Sequence, residues 1–240
     1  MSSVQQEVYE NIREQLLRGR WAPGEKLAEE KLAAEIGVNR NPVREALLKL
    51  AGEGFLERNV GTGCRVARAD ARTFKDVWEL RQAVEGMACR LAAQTITDAE
   101  LARIEHEHEL LKRLARLGQE PAIAECDTRF HRLILEASGN AALLRVWNQY
   151  LAQTIAMQNM VARFPPETRL PMHRDTIVEH GRLVAALRAH DRDEAERVVR
   201  AQLTRGLNEV LGWLERDQRR AAPRRAAQHA AAPGAPERTR

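Results

Sequence analysis

Ile36-Gly37-Val38-Asn39-Arg40-Asn41-Pro42-Val43-Arg44-Glu45-Ala46-Leu47-Leu48-Lys49-Leu50 is the stretch on which the reading of residues 1–70 turns. Gly37 ends a short helical pattern over 29–36, and Gly37-Val38-Asn39 forms a three-residue turn into a third helix, over 39–53. At about 100° per residue, Val43, Ala46, Leu47 and Leu50 share one face, while Arg40, Asn41, Arg44 and Leu48 occupy the flank and far side. Pro42 falls in the first turn, where its missing N–H has no partner to lose. Upstream, Val4, Val8, Ile12 and Leu16 recur at helical spacing over 4–17, until Gly19 and Pro23-Gly24 break the pattern. Downstream, residues 55–66 read as two short strands around Val60-Gly61-Thr62-Gly63. Helix, short helix, tight turn, third helix and hairpin are the layout of a winged helix-turn-helix.

That layout gives the polar face of the third helix a chemical meaning. Arg40 and Arg44 lie one turn apart, suited to guanine edges or successive phosphates, and Asn39 and Asn41 add hydrogen-bonding groups near the helix N-terminus. Gly61 and Gly63 let the hairpin tip, with Thr62 between them as a DNA-contacting candidate, approach a backbone closely, as a wing in a minor groove requires. The alternative for the arginines is a solvated face paired with Glu45 or another carboxylate.

From residue 72 onward the pattern is entirely helical, with helices expected at 73–94, 98–117, 122–137, 141–164, 175–189 and 193–214. Thr97 with Glu100 makes a capping box, Gly118 and Pro121 separate two helices, Ser138-Gly139-Asn140 breaks the chain, and Pro165-Pro166 marks a loop. The expected fold is therefore mainly α: a winged helix-turn-helix at 1–70, an all-helical bundle at 71–216, and a basic tail at 217–240 without regular structure.

Composition supports helix over sheet, since 44% of the 240 residues are hydrophobic but only 4% aromatic. So few aromatics also argue against a stacking surface for single-stranded nucleic acid. The net charge of +4 comes from the tail, where six Arg face Asp217 and Glu237; residues 1–70 hold 11 basic and 11 acidic side chains and residues 71–216 hold 21 and 21. Overall basicity is therefore weak evidence for DNA binding, and local placement has to carry it. Cys64, Cys89 and Cys126 are odd in number and widely spaced, a poor disulfide framework or zinc ribbon. No apolar run approaches the ~20 residues of a membrane span, and the polar N-terminus does not read as a signal peptide, so a soluble intracellular protein is expected.

Ionisable groups on apolar stripes are the informative positions in a helical bundle. Over 122–137 the stripe is Ile123, Cys126, Phe130, Ile134 and Ala137; Asp127 projects within about 20° of Ile134, and His131 sits one turn on. Over 175–189 His180 lies near the centre of Ile177, Leu183, Val184 and Leu187. A spacing of four sets Asp127 and His131 side by side as metal ligands, with His180 arriving from another helix. On 73–94, Arg81 points about 40° from Val77, inside the stripe. It is read either as an internal pair with Glu85 or as a clamp for a carboxylate ligand, and the two can coexist. His106 and His108, about 200° apart among Glu105, Glu107 and Glu109, read as a solvated face; His173, His190 and His229 read as surface.

The run Pro23-Gly24-Glu25-Lys26-Leu27, then Leu32-Ala33 and the residues from Ile36 to Leu47, resembles the DNA-binding head of the GntR family of bacterial transcription regulators, and the helical remainder resembles the effector-binding FCD domain of its FadR-like branch. The similarity spans about residues 4–214. Asn39 and Asn41 stand where relatives more often carry Ser and Thr, which implies an altered base preference. The resemblance implies a divalent metal, zinc, nickel or similar, held by an aspartate and three histidines. Three of these are matched by Asp127, His131 and His180, while Gln202 takes the fourth position. Glutamine is a poor ligand for zinc or nickel, so a three-ligand site and a metal-free polar network held by Gln202 both stand. By the same resemblance Arg81 and the metal would hold one organic acid.

The function expected is that of a ligand-responsive transcription regulator, a repressor, acting as a cytoplasmic bacterial homodimer on a palindromic double-stranded operator and sensing a small carboxylate. Two alternatives come from other classes. Two histidines and a carboxylate also make the facial triad of non-haem iron oxygenases, although no general acid or base stands beside them. A structural DNA-binding protein without effector would use Arg81, Asp127 and His180 for stability alone.

Overall fold

In the computed structural model, which describes residues 3–17, 20–22, 24–59, 63–67, 71–161 and 164–230, the head consists of α1 (Ser3–Leu17), β1 (Lys26–Leu27), α2 (Glu29–Ile36), α3 (Arg40–Gly52), β2 (Leu56–Asn59) and β3 (Gly63–Val66). The apolar spacing read from the sequence becomes its core: Val8, Ile12 and Leu16 of α1 pack with Leu32 of α2 and with Val43, Ala46, Leu47 and Leu50 of α3. Gly37 caps α2 in the left-handed region (φ 77°, ψ 32°), a conformation a side chain resists, and so sets the turn. The sheet has three strands rather than two. Its order is β1-β3-β2, all antiparallel, with Lys26 opposite Arg65 and Leu56 opposite Val66.

The helical domain comprises α4 (Ala71–Thr95), α5 (Asp98–Leu117), α6 (Glu120–Ala137), α7 (Ala141–Val161), α8 (Pro166–Arg188) and α9 (Arg192–Ala230). The capping box at the start of α5 is formed: Glu100 N–H donates to Thr97 Oγ1 at 3.3 Å and Thr97 N–H to Glu100 Oε2 at 2.9 Å. Phe74, Cys89, Ile104, Phe130, Ile134, Leu183, Val199 and Leu203 fill the main core, drawn from α4, α5, α6, α8 and α9. Among the described residues no helix is long and apolar enough to cross a membrane.

Two helices extend well beyond expectation. Helix α8 begins at Pro166 instead of 175, because a proline in a first helical turn sacrifices no hydrogen bond and Pro171 is absorbed inside the helix. Helix α9 continues to Ala230, so residues 217–230 are helical where no regular structure was expected. Alanine and arginine, which dominate that stretch, rank among the strongest helix formers.

Helix α7 joins the two parts. Its Ala152 is buried within the core of the head, beside Phe55 and the helices around it, while Trp147, Leu151 and Ile155 pack inside the bundle against Val84, Ala88 and Leu135.

Candidate functional site

On α3, Asn39, Arg40, Asn41 and Arg44 are all exposed, on the side away from the head's core. Asn39 occupies the N-cap position with extended backbone (φ −67°, ψ 161°), yet its side chain makes no capping hydrogen bond. Arg40 pairs with Glu30 (2.8 Å) and Glu29 (3.6 Å) at the start of α2, while 61% of its side chain stays exposed. Such an exposed pair is worth at most about 1 kcal/mol and yields readily to a phosphate or base. Gly61 and Thr62, assigned to the wing tip, lie outside the described residues. The wing also carries Arg58, exposed on β2, and Arg65 on β3, which sequence reasoning passed over.

Inside the bundle, the structure brings Asp127, His131 and His180 together as read. His180 Nε2 lies 3.2 Å from His131 Nε2 and 3.5 Å from Asp127 Oδ1, and His131 Nε2 lies 3.9 Å from Asp127 Oδ1. The three ligand atoms fall within 4.8 Å of one another. Each is oriented from behind. Gln158 Nε2, on α7, donates to Asp127 Oδ2 at 2.9 Å. His131 Nδ1 donates to Glu85 Oε2 at 2.8 Å, which turns Nε2 towards the centre. Phe130 stacks on His180 with centroids 3.9 Å apart. Burial, reinforced by the neighbouring His131, holds His180 well below the ordinary histidine range, so its ring is neutral.

Gln202 Nε2 lies 2.9 Å from His180 Nε2, and both Gln202 Oε1 and His180 Nδ1 are buried with no hydrogen-bond partner. The donor chemistry fits a divalent ion: two imidazole nitrogens and a carboxylate oxygen converge, and an amide whose oxygen lacks a partner stands beside them.

Arg81 takes the internal-pair arrangement. It is buried; its Nε donates to Glu85 Oε1 at 2.6 Å, its guanidinium carbon lies 4.6 Å from the Trp78 ring centroid, and Trp147 Nε1 donates to the same Glu85 oxygen at 3.3 Å. Burial alone would raise Glu85, but the charges and hydrogen bonds of Arg81 and His131 outweigh it and hold its carboxyl at about 2.

A cavity of about 120 Å³ opens beside Asp127, bounded by α4, α5, α6, α7 and α8. Asp127 and Gln158 contribute to its wall, as do Leu111, Ile123, Val161 and Ile177, whereas Arg81 does not. His173 also lines it, with Nε2 3.0 Å from Glu120 Oε2. His173 therefore has a partner that the surface reading missed. His108 is likewise buried and not on a solvated face: its Nε2 donates to the Ile177 carbonyl at 3.0 Å, and its ring meets His180 edge-on. The spacing Ile104, His108, Leu111 held that signal, masked by the glutamates around it. His190, exposed, ties the turn between α8 and α9 to α4 by donating from Nδ1 to the Ala93 carbonyl at 2.9 Å. The side chain of His229 lies outside the described residues.

Comparison with known proteins agrees with both halves. Residues 4–66 match the family described as bacterial regulatory proteins, gntR family, and residues 76–205 match the FCD domain. The chain is 31% identical over 195 residues (81% of this chain, 83% of the relative) to a probable D-xylose utilization operon transcriptional repressor of Paenarthrobacter nicotinovorans. It is 30% identical over 192 residues (79% and 86%) to the Nta operon transcriptional regulator of Aminobacter aminovorans. It is also 27% identical over 205 residues (83% and 86%) to the HTH-type transcriptional repressor RspR of Escherichia coli strain K12. Among solved structures, E. coli McbR/YncC superposes with a TM-score of 0.77 at 24% identity, covering 90% of this chain and all of that one, a likeness of fold.

Proposed function

Because this chain belongs to the gntR family of bacterial regulatory proteins and carries an FCD domain, a transcription regulator and not an enzyme, we propose that it is a repressor released or retained by a small organic acid. The observation that carries the proposal is the pairing of an exposed α3 face, bearing Asn39, Arg40, Asn41 and Arg44, with an interior cavity that opens onto Asp127.

In this reading α3 enters the major groove. Arg44 reads a base edge, Arg40 exchanges its carboxylate partners for phosphate, and Asn39 and Asn41 add hydrogen bonds. Gly61 and Thr62 take the wing to the neighbouring minor groove. Regulators of this family bind operators and effectors, typically as dimers; a homodimer would place two such helices on the halves of a palindromic site.

Asp127, His131 and His180 would hold a divalent metal, with Gln202 presenting its amide at the fourth side. Bound there, the metal would supply the positive charge that receives an effector carboxylate, which Asp127 would otherwise repel. Arg81 acts behind the site, fixing Glu85 and through it the tautomer of His131. The oxygenase alternative finds no support among relatives that are transcription regulators, and the cavity favours an effector over a purely structural DNA-binding role.

Genomic binding-site selection with the purified protein tests this reading. Enrichment of a palindromic site, lost or strengthened when small carboxylates are added, is expected. Absence of preference for any duplex over random competitor at moderate salt would sink it.

A further inference from the structure

We infer that the cavity beside Asp127 takes a short aliphatic monocarboxylic acid bearing one uncharged hydrogen-bonding group at its far end, and that Glu120 reads that group. The inference rests on the proposed effector role of the helical domain and adds what this chain's own residues select.

Size comes first. An apolar cavity of about 150 Å³ accommodates a molecule as large as benzene, so the 120 Å³ here suits about five non-hydrogen atoms, with polar end groups reaching to the residues that hold them. The walls come next. Leu111, Ile123, Val161 and Ile177, with Thr176 among them, would leave most hydroxyls of a polyhydroxylated chain without partners, which disfavours sugar acids and favours a hydrocarbon middle.

The two ends are set by α6. Glu120 and Asp127 both line the cavity and stand seven residues apart on that helix, nearly two turns, so they share a face about 10 Å apart. At the Asp127 end lies the proposed metal position. At the Glu120 end, Arg169 Nε approaches Oε1 at 2.6 Å and His173 Nε2 approaches Oε2 at 3.0 Å, the side chains of all three being less than a fifth exposed. Arg169 balances the charge of Glu120, while the carboxylate, with about four lone-pair positions, retains capacity to accept another hydrogen bond. A neutral donor such as a hydroxyl fits there. A second carboxylate would face Glu120 and is rejected.

Three probes of similar size separate the possibilities: 4-hydroxybutanoate, pentanoate and succinate, titrated calorimetrically into the full-length protein with saturating Zn(II). Binding of 4-hydroxybutanoate at least tenfold tighter than either other acid is expected. Glu120→Gln should shrink that margin several-fold and relax the rejection of succinate, with its melting curve confirming a folded protein. Succinate or pentanoate binding as tightly as the hydroxy acid, or a Glu120→Gln variant that keeps the full margin, overturns the inference while leaving the carboxylate-effector reading standing. If none of the three binds to the zinc-loaded protein, the inference fails; if zinc does not bind either, the proposed metal-assisted sensing fails with it. Should the variant not fold, the wild-type series decides alone.

Discussion

His131 Nδ1 and Glu85 Oε2 sit 2.8 Å apart between α6 and α4, both buried, and Glu85 is gripped from its other side by Arg81. One carboxylate thus orients a proposed metal ligand and neutralises an interior guanidinium.

Glu85→Gln removes both services at once. Leaving Arg81 buried without its counter-charge should cost about 3–5 kcal/mol of stability. Losing the partner of His131 should weaken divalent metal binding roughly 10–100-fold. Chemical denaturation and metal titration read the two effects separately, and unchanged metal affinity in a folded variant would remove Glu85 from the site.

Arg44→Ala tests the head. If Arg44 reads a guanine, affinity for the selected operator falls by about 1–3 kcal/mol and discrimination relaxes at one base position. Equal affinity of wild type and variant for that operator in a competition assay would retire the role.

The amide of Gln202 offers a gain-of-function test. Its nitrogen lies 2.9 Å from His180 Nε2, so Gln202→His should complete a nitrogen-rich ligand set and raise zinc affinity tenfold or more. The zinc-dependent rise in melting temperature should grow accordingly. A variant binding zinc no better than wild type would place the metal elsewhere.

How much of this was legible in the sequence depended on whether the signal was local. The apolar face of α3 and the i+4 relations of Arg81 with Glu85 and Asp127 with His131 are written in helical periodicity, and they reappear in the structure. The two-residue strand β1 is too short to show a period, and its pairing with β3 depends on residues far along the chain. Gln158 and Trp147, which hold Asp127 and Glu85, come from α7, and no pattern within one helix reveals which neighbour it meets. The prolines near the start of α8 misled because their punctuation is read without knowing their place in the first turns.

Tyr9 supplies a prediction for pH. Its hydroxyl donates to Glu53 at 2.7 Å, and burial, followed by that hydrogen bond, raises its pKa above the ordinary tyrosine value. The folded state therefore holds the proton more tightly than the unfolded chain. The resulting stability is complete below pH ~10 and is lost as pH climbs above that towards the folded-state value. Urea unfolding at pH 8 and 10.5 should show a steeper alkaline loss for wild type than for Tyr9→Phe, which gives up about 1 kcal/mol at neutral pH. Parallel losses in the two proteins would show that Tyr9 is not the titrating group.

Ala152 and Gln158 belong to one rigid rod, about 9 Å apart along its axis, the first lodged among the side chains of the head and the second gripping Asp127. On the proposed function, any tilt or slide of that rod imposed from the cavity would reach the head without passing through the peptide that links the two parts. Lengthening the linker would leave this transmission intact, whereas a bulky side chain at 152 would uncouple it.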